Sequence, residues 1–594
     1  MAEKRTGKYY GPSFSMKTLF APKAGEGYGI GHLSRCLSLA GQYPRSAIFL
    51  SDATYRSVKD FLRNKAPEIE VLTGLPAGIG FDYIFLDRKE SSFEDLTFFS
   101  DYGTVAGIDE NGPHRSLFPY LIDILPGPRK ECTGNITNPR YSFPAEIPDF
   151  NLERKPILIT FGGEDPYGLT ALAYSHLLKS ETLQPADISV IQGPLSRPVE
   201  VEDDTDLIIS PPSLPEIFRN FDTVITSYGL SAYEAAFSGC GVILCNPTPY
   251  HEKLGRHAGF ITTGKSLSGL KKLNSLLKDP GKIRERTLSV IKSFTEPESS
   301  IWPVLMGTLN TSPKNNRCPS CSEKWNNSVY RDTDKTYFHC SQCGMLYQLY
   351  FKKSTVSYSD SYFFEAYRKQ YGKTYLEDFD SIKRRSRKRL RRISALLDKN
   401  VEGRTVLDIG CAYGPFLSAA DDAGFSPWGL DISSGAVSYV RNNLGFPAVQ
   451  ADFLAFEPRE HDLPDQYDAV TMWFVLEHFE PHEFVLRKVK SFLRPGGIFA
   501  FSTPNSRGVS GMFSRHLFLE NSPEDHHIIA DPRSVKHILY SLGFKKIRIV
   551  ITGHHPERFP VLGRNKLGRA VAAAGSRLFR LGDTFEVYAR KGTE

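Results

Sequence analysis

The chain has 594 residues, of which 40% are apolar and 24% charged, and its formal net charge is +6. That length is too great for one hydrophobic core, so about two to four domains are expected. The mild charge is no argument for a nucleic-acid partner. No apolar run approaches the roughly 20 residues of a membrane span, and the basic stretch from Met1 to Phe20 lacks the apolar core of a secretory signal.

Of nine cysteines, four form two Cys-x-x-Cys pairs, while Cys36, Cys132, Cys240, Cys245 and Cys411 are scattered. This usage suits a reducing compartment and predicts a cytoplasmic protein. Along the chain, Ser15 to Ala21 reads as a strand leading into the loop Gly25-Glu26-Gly27-Tyr28-Gly29-Ile30-Gly31-His32. A helix follows, with Leu33, Cys36, Leu37 and Ala40 at helical spacing. Glycines let the backbone approach a ligand, and the new helix offers free N–H groups to an anion, with His32 at its start. A capping or surface histidine is the simpler alternative. Phe81 to Asp87 and Thr104 to Asp109 each end in an acid, as parallel strands ending at a crevice do. A second set starts at Pro156 to Pro166 and continues through Ile188 to Gly193, Thr223 to Ser227 and Gly241 to Cys245. Two doubly wound lobes, 16–150 and 151–295, with a cleft between them are expected.

Three ordered motifs in this half carry a resemblance: Gly29-x-Gly31-His32-x-x-Arg35-Cys36, Gly162-Gly163-x-Asp165-Pro166, and Ser227-x-Gly229-x-Ser231-x-x-Glu234. Together they resemble the UDP-sugar hydrolase of pseudaminic acid biosynthesis, a member of the two-lobed glycosyltransferase-B group. The resemblance implies a UDP-sugar in the cleft, with His32 helping water displace UDP and Glu234 holding the ribose. It also implies that Gly31, Gly163 and Ser231 lie near the nucleotide. Tyr228-Gly229-Leu230-Ser231 replaces the family's Gly-Gly-Ser-Thr run, and no glutamine-bearing stretch is evident near Pro249-Tyr250-His251-Glu252. The lobes could therefore instead transfer a sugar, or bind a nucleotide-sugar or glycan without chemistry.

Residues 296–317 turn Pro-, Ser- and Asn-rich and read as a linker. Cys318-Pro319-Ser320-Cys321 and Cys340-Ser341-Gln342-Cys343 follow, fitting a small ribbon over 318–350 with a closed, structural zinc site. The aromatic stretch from Ser359 to Tyr375 is either a lid over a substrate or a helix pair packed on the next domain. From Lys383 to Arg389 runs the strongest charge cluster. With Ile382, Ser386, Leu390, Ile393 and Leu397 on one face, it predicts an amphipathic helix with a solvated basic side; anionic partners such as nucleic acid or lipid are the alternative.

Thr405 to Ile409 reads as a strand entering the turn Gly410-Cys411-Ala412-Tyr413-Gly414, and Pro415 to Ala420 as a helix. Further strands are expected at Pro427 to Leu430, Ala448 to Gln450, Tyr467 to Trp473, Ile498 to Ser502, Lys546 to Thr552 and Phe585 to Arg590. Five motifs then stand in order: Asp408-x-Gly410-x-x-x-Gly414, Asp431, Asp452-Phe453, Glu477-His478 and Pro495-Gly496-Gly497. Residues 355–594 resemble the class I S-adenosylmethionine methyltransferases. A Rossmann-like fold of seven strands is implied, with the cofactor held by Asp408, Gly410, Gly414, Asp431, Asp452 and Phe453. Glu477 and His478 are the candidate general bases, with a structural histidine and a capping acid as the alternative. His526 and His527 are candidates to line the acceptor pocket. Phe474 stands where a related group places a metal-binding acid, so no catalytic metal is expected.

The combined expectation is an α/β chain uniting a hydrolase-like pair of lobes, a zinc ribbon and a methyltransferase. Its substrate would be a nucleotide-sugar or glycan in surface-glycan synthesis. Nucleic-acid methylation is the third reading, but Glu477-His478-Phe479 is not the Asn/Asp-Pro-Pro-aromatic run of base amino methylation. Oligomeric state and the methylated atom are open at this level.

Overall fold

A computed structural model describes residues 18–25, 28, 30–42, 45–127, 132–137, 153–180, 183–211, 213–264, 267–292, 315–352, 362–397, 403–461 and 463–593. Gly29 of the first loop motif, the lobe boundary near residue 150 and most of the linker 296–317 lie outside the described residues. The chain divides into two compact units. The first holds Met1–Asn315 with Arg331–Asp334 and Phe351–Lys353, and the second Asn316–Tyr330, Lys335–Tyr350 and Ser354–Glu594.

The first unit contains two parallel sheets. One is built from β1 (Thr18–Pro22), β2 (Ser46–Phe49), β3 (Glu70–Leu72), β4 (Tyr83–Asp87), β5 (Thr104–Ile108), β6 (Tyr120–Asp123) and β7 (Ile136–Thr137), in the order β3-β2-β1-β4-β5-β6-β7. Its central strands β1, β4 and β5 are buried along their whole length, as expected where helices cover both faces of a parallel sheet. The other sheet uses β8 (Lys155–Ile159), β9 (Ile188–Gln192), β10 (Asp206–Ile209), β11 (Phe221–Thr226), β12 (Gly241–Leu244) and β13 (Ile261–Thr262), in the order β10-β9-β8-β11-β12-β13. In each sheet the order reverses once, between β1 and β4 and between β8 and β11. Ligands of such sheets sit where the order reverses, beyond the strands' carboxyl ends. The His32 helix, Gly31–Gln42, follows β1; the Gly162-Gly163 turn follows β8; Tyr228-Gly229 follows β11.

The second unit's main sheet comprises β17 (Thr405–Ile409), β18 (Ser426–Asp431), β19 (Ala448–Gln450), β20 (Tyr467–Trp473), β21 (Leu493–Pro504), β23 (Phe544–Thr552) and β24 (Thr584–Lys591). The order is β19-β18-β17-β20-β21-β24-β23, with β24 antiparallel to both neighbours. Its reversal lies between β17 and β20, so the glycine turn and Glu477-His478 leave adjacent strands at the same edge. The Pro495-Gly496-Gly497 segment is not a separate turn: β21 runs through it as an irregularity, with Gly496 at a φ of 77°.

A smaller sheet joins β14 (Asn327–Arg331), β15 (Lys335–His339) and β16 (Leu346–Tyr350) to β22 (Ile528–Ile529). The cysteine ribbon thereby shares its sheet with the segment that carries His526 and His527. The basic run forms the helix Phe379–Ser394 and buries Ser386, Leu390 and Ile393 as its periodicity predicts. Its charged side is not simply solvated. Arg389 and Arg392 both donate to Glu586, at 2.9 and 2.6 Å, and Lys383 and Arg387 both reach Asp422, at 3.0 and 3.1 Å. Arg389 also stacks 4.0 Å above the Trp473 ring. Much of this charge ties the helix to its own domain, which argues against a nucleic-acid surface.

Candidate functional site

The glycine turn is shaped by strand-end hydrogen bonding. Gly410 N–H donates to Leu430 C=O at 2.7 Å, and Cys411 N–H to the same oxygen at 3.1 Å. Gly410 and Gly414 take φ values of 73° and 79°, and a Cβ on Gly410 would sit 2.4 Å from Val475. Both positions therefore demand glycine. Asp408 is buried and accepts a 2.5 Å bond from the Thr471 hydroxyl. Burial pushes it up to about 8, against that bond. Asp431 accepts from Ala412 N–H (2.8 Å) and Ser433 N–H (2.9 Å), and burial raises it too. The turn thus presents two desolvated acids with, among the described residues, no cation within hydrogen-bond reach to pair them. Phe363, Tyr375 and Tyr439 surround Tyr413 of the turn at 5.2, 6.3 and 5.2 Å between ring centroids. The aromatic stretch therefore packs directly on the glycine turn. Asp452 is exposed, while the Phe453 ring is buried against Phe479 and Phe492.

Beside this turn, Glu477 is buried and pushed up to about 7 by desolvation. His478 Nδ1 lies 2.8 Å from Asp525 Oδ2. Burial pulls His478 down, but Asp525 and Glu477 together raise it. His526 packs edge-on against His478 at 4.7 Å and is held down to about 3 by burial. His527 N–H donates to Glu477 C=O at 2.8 Å. An acid raised by burial and an imidazole whose protonated form is favoured by neighbouring carboxyls can exchange a proton with an acceptor. Glu477, His478 and His526 also place ligand-type atoms within 4.8 Å of one another, a donor set that the Phe474 argument did not foresee.

Residues 381–549 match a family model described as "Methyltransferase domain". This half of the chain carries a methyltransferase domain. Among curated proteins, the ubiquinone biosynthesis O-methyltransferase of Klebsiella pneumoniae is 32% identical over 114 residues, 19% of this chain and 47% of that protein. The Stutzerimonas stutzeri enzyme of the same name is 31% identical over 108 residues, 18% and 47% of the two chains. The chain spans about half the length of these curated relatives. Among solved structures, a SAM-dependent methyltransferase from Archaeoglobus fulgidus is 20% identical with a TM-score of 0.29, covering 38% of this chain and 98% of that one. The cyclopropane synthase MmaA2 from Mycobacterium tuberculosis is 18% identical with a TM-score of 0.25, covering 34% and 82%.

The methyltransferase domain's own residues fit S-adenosylmethionine. This cofactor carries a sulfonium and an ammonium, and the turn holds two buried carboxyls whose ionisation a bound cation would favour. The cysteine ribbon fits zinc. Cys318 Sγ lies 3.6 Å from Cys343 Sγ and Cys321 Sγ 3.5 Å from Cys340 Sγ, with all four sulfurs within 4.8 Å of one another. These spacings are far longer than a disulfide and close to the roughly 3.8 Å edge of a tetrahedron built on Zn–S bonds of about 2.3 Å. Ser320, inside the first pair, reaches His482 Nδ1 at 2.8 Å at the start of the helix His482–Ser491.

In the first unit, His32 Nδ1 lies 2.6 Å from Asp87 Oδ1, and 29% of the His32 side chain is exposed. Asp87 also receives Arg35 Nε at 2.7 Å and Nη2 at 2.5 Å, while Arg35 Nη1 reaches Asp109 Oδ2 at 2.6 Å. Burial would push Asp87 up, yet Arg35 and His32 hold it well below the usual carboxylate range. The two strand-ending acids read from the sequence are thus the partners of the motif's own Arg35 and His32. Gly163 meets this loop from the second lobe, where a Cβ would overlap Ile30. Ser231 lies in the first turn of the helix Leu230–Phe237, and half-buried Glu234 is pushed up to about 7 by desolvation. Asp87, Thr471, Tyr375 and Asp525 are the residues whose parts in these clusters the motifs alone do not reveal.

Proposed function

We propose that the chain is a bifunctional enzyme of nucleotide-sugar metabolism. Its C-terminal domain transfers a methyl group from S-adenosylmethionine to a hydroxyl of a sugar, and its N-terminal lobes cleave a nucleotide-sugar. The observation that carries the first activity is the Glu477, His478 and Asp525 cluster, one strand away from the acid-bearing glycine turn. The cofactor, when bound, supplies an already activated methyl group. The chain's residues must then align the acceptor oxygen and take its proton, and His478, oriented by Asp525, is the group placed to do so. The O-methyltransferase relatives support oxygen as the acceptor atom.

For the lobes, the His32–Asp87 contact supports hydrolysis. Asp87, kept ionised by Arg35, favours the tautomer with the proton on Nδ1 and leaves Nε2 as a base. In this reading Nε2 takes a proton from water as the water oxygen bonds to the anomeric carbon. The bond from that carbon to the diphosphate breaks, and UDP leaves. Glu234 and the helix start at Ser231 are the proposed nucleotide contacts.

The test presents UDP-sugars and labelled S-adenosylmethionine to the full chain, following UDP release and methyl incorporation separately. His32→Asn is expected to lose UDP release at least about a hundredfold, the scale of general-base catalysis, with methylation retained. UDP release unaffected by His32→Asn would reject the hydrolase assignment. No methylated sugar with any nucleotide-sugar tested would reject the acceptor class.

A further inference from the structure

The segment between β23 and β24 folds with the wrong face outward for a helix packed on a core. Its helix, Lys566–Leu578, turns its small residues Gly568, Ala572 and Ser576 inward. A Cβ on Gly568 would sit 2.3 Å from Leu562 C=O, and Ser576 Oγ bonds His554 Nδ1 at 2.7 Å, so this face is fixed against its own loop. The opposite face carries Leu567, Val571, Ala574 and Leu578, spaced i, i+4, i+7 and i+11, all exposed. Leu567 is 79% exposed and Leu578 76%, and the flanking Val561 and Phe579 stand at 75% and 70%. A continuous apolar stripe of this kind on a soluble surface marks an interaction site rather than scatter.

The charges around the stripe identify what covers it. From Phe559 to Gly582 the sequence holds five basic residues, Arg564, Lys566, Arg569, Arg577 and Arg580, and no acidic one. Two such faces would repel each other, which disfavours a second copy of this chain. Nucleic acid would satisfy the charges but leave large aliphatic side chains in water. An anionic bilayer surface satisfies both, because aliphatic side chains enter the acyl boundary while guanidinium and ammonium groups stay at the phosphates. Phe513 lies 6.0 Å from Phe559, and with Met512 it extends the exposed apolar area beside this segment. Among the described residues no helix is long and apolar enough to cross a membrane, so contact through this helix would be in the plane of the interface.

We infer that the Lys566–Leu578 helix and its flanks form a docking surface for an anionic lipid bilayer. The test is flotation of the full chain with phosphatidylglycerol-containing vesicles and with phosphatidylcholine vesicles, across a salt series. The expected result is partition to the anionic vesicles that weakens with salt and falls about tenfold or more in Leu567→Glu/Leu578→Glu. Both side chains are exposed, so the doubly substituted chain keeps its fold, which circular dichroism and S-adenosylmethionine binding would verify. No partition to anionic vesicles at low salt, or partition equal in wild type and variant, would overturn the inference. So would a dimer in light scattering that the substitutions dissolve, since that would make a second copy the occupant.

Discussion

Asp87 and Asp408 are both buried acids at the carboxyl ends of parallel strands next to a reversal of strand order, yet their charges are settled in opposite ways. Asp87 is gripped by Arg35 and His32 and stays ionised. Among the described residues Asp408 has a hydroxyl as its hydrogen-bond partner and Arg389 acting from a distance, and burial still pushes it up to about 8. The N-terminal site carries its own counter-charge and is balanced before a ligand arrives. At the C-terminal turn burial outweighs the Thr471 bond and the distant Arg389, so a bound cation would favour ionisation of Asp408. Similar topology thus produces one strand-end acid neutralised by its own domain and one whose ionisation a cation would favour.

The largest way to break this contrast is to remove the counter-charge from the balanced site. Arg35→Met would leave Asp87 buried with only His32 and the Cys36 thiol as side-chain partners among the described residues, and breaking a buried pair in this way costs about 3–5 kcal/mol. Urea unfolding of the full chain should show the N-terminal unit lost at much lower denaturant, while S-adenosylmethionine binding persists. An unshifted transition would mean that Arg35 does not hold Asp87.

On the unbalanced side the sign reverses. Glu477 is raised by burial to about 7, above its ordinary value near 4.3. Its burial is therefore tolerated at low pH, and the stability it allows is lost as pH rises through 7. Glu477→Gln should match wild type near pH 4 and exceed it at pH 8 by up to about 3 kcal/mol. A variant less stable than wild type at pH 8 would contradict the desolvated, weakly paired carboxyl described above.

How much of this was legible from sequence follows the range of the interactions. The strands β17 and β20 were readable to the residue, because an apolar run bounded by turn residues is a local signal. The short strands β2, β3, β7, β10 and β13 were not, since two to four residues at or next to a sheet edge carry little periodicity. The cysteine cluster was legible because its spacing encodes its geometry. The partners of His32, Asp408 and His478 were not: Asp87 lies 55 residues from His32 and Thr471 63 from Asp408, separations that only the fold closes. The basic helix was legible as amphipathic, but not where its charge goes: Glu586 and Asp422, distant in sequence, take up Lys383, Arg387, Arg389 and Arg392 instead of solvent.

The most direct test of the contrast between the two sites is calorimetric titration of S-adenosylmethionine onto the full chain near pH 7, in two buffers of different ionisation enthalpy. Asp408, raised to about 8, should give up a proton when the cationic cofactor binds. The account predicts one cofactor per chain, a binding enthalpy that differs between the buffers by the heat of that proton, and loss of this difference in Asp408→Asn. Absence of binding, or a wild-type enthalpy that is the same in both buffers, would contradict it.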